Sequence, residues 1–215
     1  DHDVIFADQK AFYVDVARLG GGIWRQYMER EIQSLWGYPF AFVSAAKRRL
    51  SVKERLNLAI ERRLFSCPRL KRVIVNSACT GQALLAEYAI PKNKISVVYN
   101  GVDHRRYNPQ RTAELRAQAR AEFGLGDKDY AILFLATNFR LKGLLPLLEA
   151  IARMKKMAAP QRVKLLAVGK KNPGYYALRA ASLGLREDVL FCPPTRAPER
   201  CYAAADVLAH PTYHD

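Results

Sequence analysis

Two basic side chains set two residues apart, Arg140 and Lys142 in "ATNFRLKGLLPLLEAI", carry the strongest chemical signal in the chain. They follow an apolar run that ends at Ala136 or Thr137, and Gly143 then opens a stretch with helix periodicity. Arginine can grip phosphate oxygens bidentately, and lysine supplies a mobile point charge. A helix start adds unpaired N–H groups and the positive end of its dipole. Asn138, Arg140, Lys142 and Gly143 therefore read as an anion site suited to phosphate. The plain alternative is a solvated basic turn.

Three other stretches place reactive or permissive residues after an apolar run. In "KLLAVGKKNPGYY", Gly169 permits a close backbone approach, either to a ligand or within a tight turn, and Lys170 and Lys171 stand beside it. In "ARLGGGIWRQYMEREI", Gly20, Gly21 and Gly22 precede a helix and resemble a phosphate-cradling loop, although they match no established phosphate fingerprint. In "AADVLAHPTYHD", His210, His214 and Asp215 gather at the end of a strand-like run. The histidines lie on an extended strand and turn, a poor arrangement for a metal pair. No nucleophile triad can be read from the spacing.

These positions matter because open parallel sheets bind ligands beyond the C-terminal ends of their strands. Apolar runs "DVIFAD", "RVIVNS", "ISVVYN", "YAILFLAT", "VKLLAVG", "DVLFC" and "DVLAH" read as strands. Helix-period stretches lie at 77–88, 112–123, 144–157, 175–183 and 198–205. Near-continuous apolar strands alternating with helices indicate a doubly wound α/β protein with parallel sheets. We expect a first Rossmann-like domain over 1–109, a connecting linker and helix over 110–128, and a second Rossmann-like domain over 129–215. "DHDVIFADQ" reads as a buried strand already under way, and the end falls in a strand–loop transition, so both domains are expected to be incomplete.

The 215 residues carry a formal net charge of +15, an excess that attracts anions. It is densest in Lys47 to Arg72, with ten basic and two acidic residues. There Val52, Leu56, Ile60 and Leu64 form an i, i+4 apolar stripe, read either as a helix lying on an anionic membrane or as one packed on the core. No apolar run approaches the roughly 20 residues that span a bilayer. Cys67, Cys79, Cys192 and Cys201 form no close pair. They are expected as small buried hydrophobes in a reducing, cytoplasmic compartment. Aromatic and basic residues do not interleave as in nucleic-acid binders, so no nucleic-acid partner is expected.

"RVIVNSACTGQALLAEYAIPKNKISVVYNGVDHRRYNP", "NFRLKG" and "CYAAADVLAHPTYHD", in that order, resemble the retaining glycosyltransferases of family 4, and most of all those that build the lipopolysaccharide core. The resemblance implies a GT-B fold. It also implies a first domain that takes a lipid-linked or phosphorylated glycan acceptor, a second that takes a nucleoside-diphosphate sugar, and no metal. It implies a cytoplasmic hexosyl- or heptosyltransferase, and the basic stretch Lys47 to Arg72 is the candidate contact with the inner face of the cytoplasmic membrane. A nucleotide-sugar epimerase on the same fold is the alternative reading, and a basic nucleic-acid-binding α/β domain is a more distant one.

By this resemblance Arg140 and Lys142 hold the donor diphosphate and stabilise the leaving group, with Gly143 at the helix aimed at the same phosphates. Asn138, Gly169, Cys192, Pro193, His214 and Asp215 line the rest of the donor site. Asp215 is the first carboxylate of the family's acidic pair, and Gly20 to Gly22 lie on the acceptor side. The chain departs from the family pattern twice. Ile23 and Trp24 stand where relatives carry a small residue and a histidine. Pro193 stands where a glycine N–H meets the nucleobase, and proline has no N–H to donate.

Overall fold

The computed structural model describes residues 3–8, 11–157, 162–169 and 173–214. The chain divides into two compact units, Asp1–Gly101 with His214–Asp215, and Val102–Tyr213.

In the first unit, β1 (Phe6–Ala7), β2 (Val16–Leu19), β3 (Arg72–Val75) and β4 (Ile95–Val97) form a parallel sheet in the order β1-β2-β3-β4. Between β2 and β3 run α1 (Trp24–Gln33), α2 (Ala41–Arg49) and α3 (Val52–Phe65), and α4 (Ala78–Glu87) leads to β4. Helix α4 starts where Ser77 Oγ accepts the Thr80 N–H at 3.1 Å, a cap worth about 1 kcal/mol. Ala17, Leu19, Val73 and Val75 of the two central strands pack with Ile23, Leu64, Leu70 and Leu84.

Two expectations are corrected here. The opening run is not a buried strand: β1 is two residues long, and Val4 and Phe6 are exposed. It is an edge strand with a single neighbour, so only part of it is covered. Strand β2, by contrast, is central and was not anticipated. Its approach carries Asp15, a carboxylate that interrupts the apolar pattern and is nevertheless buried. Asp15 accepts from the Ile5 N–H at 3.0 Å and from Arg69 Nε at 2.8 Å, and Lys71 lies 3.2 Å away. Burial of a charge is tolerated only with such partners.

The second unit contains α5 (Pro109–Glu122), β5 (Asp129–Leu135), α6 (Leu144–Lys156), β6 (Arg162–Val168), α7 (Tyr175–Ser182), β7 (Val189–Cys192), α8 (Pro198–Ala204) and β8 (Val207–Leu208). Helix α5 opens on an Asn108 cap with Pro109 at its first position, and it packs on α8. The parallel sheet has the order β7-β6-β5-β8. β5 and β6 pair from Asp129↔Arg162 to Leu135↔Val168. Both are largely buried, as continuous apolar runs require. Helix α6 buries Leu144, Leu147, Leu148, Ile151 and Ala152, one face at i, i+3, i+4, i+7, i+8 spacing.

The chain goes from β5 outward to β6 and β7, then crosses back to add β8 on the other side of β5. The reversal creates a topological switch point between β5 and β8, where ligands of doubly wound sheets bind. Among the described residues no helix is long and apolar enough to cross a membrane. The cysteines are free, but only Cys201 is buried and Cys79 is exposed. Cys79 falls in the first turn of α4, facing away from the core, so the expectation of four buried hydrophobes holds for one.

Candidate active site

The turn after β5 is built on itself. Asn138 Oδ1 accepts the Leu141 N–H at 3.1 Å, and the Asn138 carbonyl accepts the Lys142 N–H at 3.0 Å. Phe139 is buried, edge-on to Phe134 and Tyr176 with ring centroids 5.5 Å from each. Leu141 is buried as well. Arg140 and Lys142, which alternate with these two anchors, stay half-buried. The sequence thus fixes the backbone by its apolar residues and leaves the basic pair at the rim of the sheet.

The segment after β8 is hung from this same turn. Ala209 N–H bonds to the Leu133 carbonyl at 2.9 Å, and Tyr213 N–H to the Leu141 carbonyl at 3.0 Å. The contact is close enough to dictate a glycine. Gly143 has φ +82°, and a Cβ on it would lie 2.0 Å from the Pro211 carbonyl oxygen. Gly143 caps α6, whose first turn carries no acidic residue. His210 stacks on Phe134 at 6.4 Å, which makes its ring part of the wall.

Gly169 and Cys192 end the next two strands, joined by a Gly169 N–H to Cys192 carbonyl bond of 3.1 Å. Gly169 has φ +135°, and a Cβ there would lie 1.8 Å from the Ala136 carbonyl oxygen. Its glycine is explained by the neighbouring backbone and needs no ligand. Burial raises the Cys192 thiol above its ordinary value, and Pro193 is exposed beyond it. Asn138, Arg140, Lys142, Gly143, Gly169, Cys192 and Pro193 thus share one edge of one sheet. Lys170, Lys171 and Asp215 lie outside the described residues. A larger concavity of about 1120 Å³ opens at the opposite edge. There Arg116 and Arg120 are paired with Asp206, and Arg162 with Asp129.

The first unit holds Gly20, Gly21 and Gly22, and His214 groups with them. The His214 Nε2 lies 3.2 Å from the Gly21 carbonyl, and its ring is edge-on to Tyr27 at 5.5 Å. The helix that follows the glycines starts on a carboxylate of the protein itself. The first N–H of α1, on Trp24, donates to Glu61 Oε2 at 2.7 Å. Glu61 is fully buried and also accepts from Tyr88 Oη at 2.7 Å. Trp24 Nε1 donates to Glu54 Oε2 at 3.0 Å, and Arg48 joins Glu54 to Glu31. A buried carboxylate thus holds the first N–H of the helix that follows the glycines. Sequence reasoning missed this network because its members come from three helices and the end of a fourth. It also missed Asp8, Arg18, Tyr27 and Asn57, which line a cavity beside the glycines. The i, i+3 spacing of Trp24 and Tyr27 was the one available signal.

The Lys47–Arg72 stripe is split. Leu64 is buried, Ile60 is half-buried, and Val52 and Leu56 are exposed. The face of α3 turned to α1 is instead that of Glu54, Glu61 and Leu64. The exposed apolar residues continue through Trp36, Phe40, Phe42 and Leu50. Phe40 is 81% exposed at φ +60°, a left-handed backbone that a bulky residue rarely adopts.

Two family models match the chain, Glycosyltransferase Family 4 over residues 26–106 and Glycosyl transferases group 1 over residues 116–215. The chain belongs to glycosyltransferase family 4. A D-inositol 3-phosphate glycosyltransferase of Nocardia farcinica is 33% identical to this family member over 153 residues, 67% of this chain and 33% of the relative. The chain therefore spans about a third of the length of the curated relatives it matches. The crystal structure of WaaG, a glycosyltransferase involved in lipopolysaccharide biosynthesis, superposes with a TM-score of 0.77 at 20% identity, covering 99% of this chain and 54% of that one. Anabaena HepE in complex with UDP and glucose gives 0.54 at 18% identity, covering 92% and 52%. At these identities the likeness is one of fold, and the two parallel α/β units are those of GT-B glycosyltransferases.

Proposed function

We propose that this chain is part of an enzyme that moves a sugar from a nucleoside diphosphate to an acceptor hydroxyl, with retention, in the synthesis of a cell-surface glycan. The observation that carries the reading is the switch point of the second sheet. A cationic turn and a glycine-capped helix start meet there, beside the backbone of Pro211. Departure of the nucleoside diphosphate builds negative charge on its phosphates, and fixed cations with a helix terminus stabilise that charge. Arg140 and Lys142 take this role, and Gly143 lets the helix start approach. Asn138, Cys192 and Pro193 flank the same edge for the sugar and base, and Asp215 is assigned to the donor sugar by its motif alone. The first unit takes the acceptor beside Gly20 to Gly22. The transfer needs no metal in this reading.

Titration of the chain with UDP, ADP and GDP tests the donor site. At least one should bind, and Arg140→Ala and Lys142→Ala should each weaken it. Equal binding by both variants would remove the assignment.

The exposed Phe42, Val52 and Leu56 lie on α2 and α3, the helices that carry Lys47, Arg49, Lys53 and Arg55, and the exposed Trp36, Phe40 and Leu50 lie in the segments beside them. This surface suits an anionic membrane, with apolar side chains to insert and cations for the headgroups. Flotation with anionic vesicles should recover the chain at low salt and lose it at high salt. No recovery at low salt would remove the membrane surface as a partner.

A further inference from the structure

We infer that the first unit carries a subsite for an uncharged pyranose ring, walled by the Trp24–Tyr27 pair. The inference rests on the glycosyl-transfer reading above and names the acceptor chemistry of its first unit. A cavity of about 450 Å³ opens beside Gly20 to Gly22, past the ends of β1 and β2, and Asp8, Arg18, Trp24, Tyr27, Asn57 and Ile60 line it. That is within the size range of small-molecule sites, which combine mainly apolar walls with a few polar groups.

The walls specify the ligand. Trp24 and Tyr27 are one helical turn apart, with ring centroids 5.1 Å apart and planes inclined at 33°. The indole N–H is held by Glu54 at 3.0 Å, which pins the ring by its edge. With that N–H so used, the pair meets the cavity through its flat carbon faces. Such faces pack against the C–H face of a sugar ring, a contact that buries apolar area without needing a hydrogen bond.

The charge pattern of the described residues argues against a phosphate. Among them Arg18 is the only cation lining the cavity, and it already bonds Asp8 at 2.7 Å and Asn100 Oδ1 at 3.3 Å. Behind the wall lie Glu54 and Glu61, and Glu61 has taken the first N–H of α1. A phosphate would meet two buried carboxylates, Asp8 and a used helix start. Neutral hydroxyls can instead accept from Arg18, donate to Asp8 and do both with Asn57. The negative charge of the donor belongs on the second sheet, and the ring recognised here is neutral.

Saturation-transfer NMR on the 215-residue chain tests this with the methyl α-glycosides of glucose, galactose and mannose, with glucose 6-phosphate, and with UDP, ADP and GDP. We expect saturable transfer to at least one glycoside, strongest for the protons of one ring face, and a weaker signal from glucose 6-phosphate. Tyr27→Leu and, at the polar wall, Asn57→Ala should each weaken glycoside binding about tenfold and leave the nucleotide signal intact. The second variant keeps the test open if the first disturbs α1. The subsite is overturned if no glycoside shows saturable transfer, if the phosphorylated sugar binds more tightly than its parent, or if both variants bind as the parent does. A nucleotide signal without a glycoside signal sinks the subsite and leaves the transferase reading standing. A glycoside signal without any nucleotide signal supports the subsite and counts against that reading.

Discussion

The chain contains two strand–glycine–helix turns that look alike on paper and have opposite electrostatics. After β5, Gly143 opens α6 beside Arg140 and Lys142, with no acid in the first helical turn. After β2, Gly20 to Gly22 open α1, but the leading N–H of that helix is closed by Glu61, which is 37 residues distant in sequence. Their glycines also serve different ends. Gly143 is required by a carbonyl that a Cβ would strike, whereas a Cβ on Gly21 meets nothing within 4 Å. The leading N–H of α6 is used as well, but within its own turn: Leu144 N–H donates to the Phe139 carbonyl at 2.9 Å. The two turns differ in the charge gathered at the helix start, two cations at one and a buried carboxylate at the other, and a remote side chain decides that.

The strongest break of this contrast is chemical. In the full-length enzyme, Arg140→Ala or Lys142→Ala should each reduce turnover by about a hundred- to a thousandfold, the usual cost of one preorganised contact to a developing charge. The same substitution at Arg18 should leave the nucleotide affinity of the second unit unchanged. Near wild-type turnover in both variants would show that the two turns are not functionally distinct.

The glycines provide the next contrast, read by chemical denaturation. Gly143→Ala must leave φ +82° or displace Pro211, and it should cost about 1–3 kcal/mol or more. Gly21→Ala has open space and should shift stability by less than about 0.5 kcal/mol. If both are silent, the close approach at Pro211 does not constrain the fold.

Glu61→Gln tests the built-in anion. Its carboxylate accepts from both Trp24 N–H and Tyr88 Oη, and an amide can accept at only one of its two atoms. The variant should lose about 1–3 kcal/mol of stability. Its Trp fluorescence should also change, since Trp24 is one of two tryptophans in the chain. An unchanged melting point and spectrum would show that Glu61 does not hold the turn.

The smallest effect is a pH slope confined to the first unit. The Asp15 carboxyl is lowered from 3.8 to about 2, chiefly by the Ile5 N–H and the Arg69 side chain, with burial opposing them. Because the folded value lies below the unfolded one, this contribution is complete above pH 4 and disappears as pH falls through about 2. Asp15→Asn should flatten thermal stability across that interval. A slope identical to the parent's would assign acid lability to other groups.

The legibility of the chain follows the same division. β5, β6 and α6 could be read directly because their burial is uniform, a run or a helical stripe with one consistent face. The Asn108–Pro109 start of α5 and the Ser77 cap of α4 are local signals of equal clarity. β2 could not be read, since Asp15 breaks its pattern and its partners come from 5, 69 and 71. The Val52–Leu64 stripe was legible only in part for a related reason. Of its four residues only Leu64 is fully in the core, and the helix also buries Glu54 and Glu61, whose charges are met by Arg48, Trp24 and Tyr88.

What the sequence by itself determined was the alternation of strand and helix, the basic pair at Arg140 and Lys142, and the family, because these depend on near neighbours along the chain. Only the tertiary structure decided what closes on each turn: the Glu61 carboxylate at the start of α1, and the Pro211 backbone at Gly143. Hydrogen bonds and steric contacts act over a few ångströms of space, whatever the separation in sequence, so the local pattern of either turn could not contain the answer.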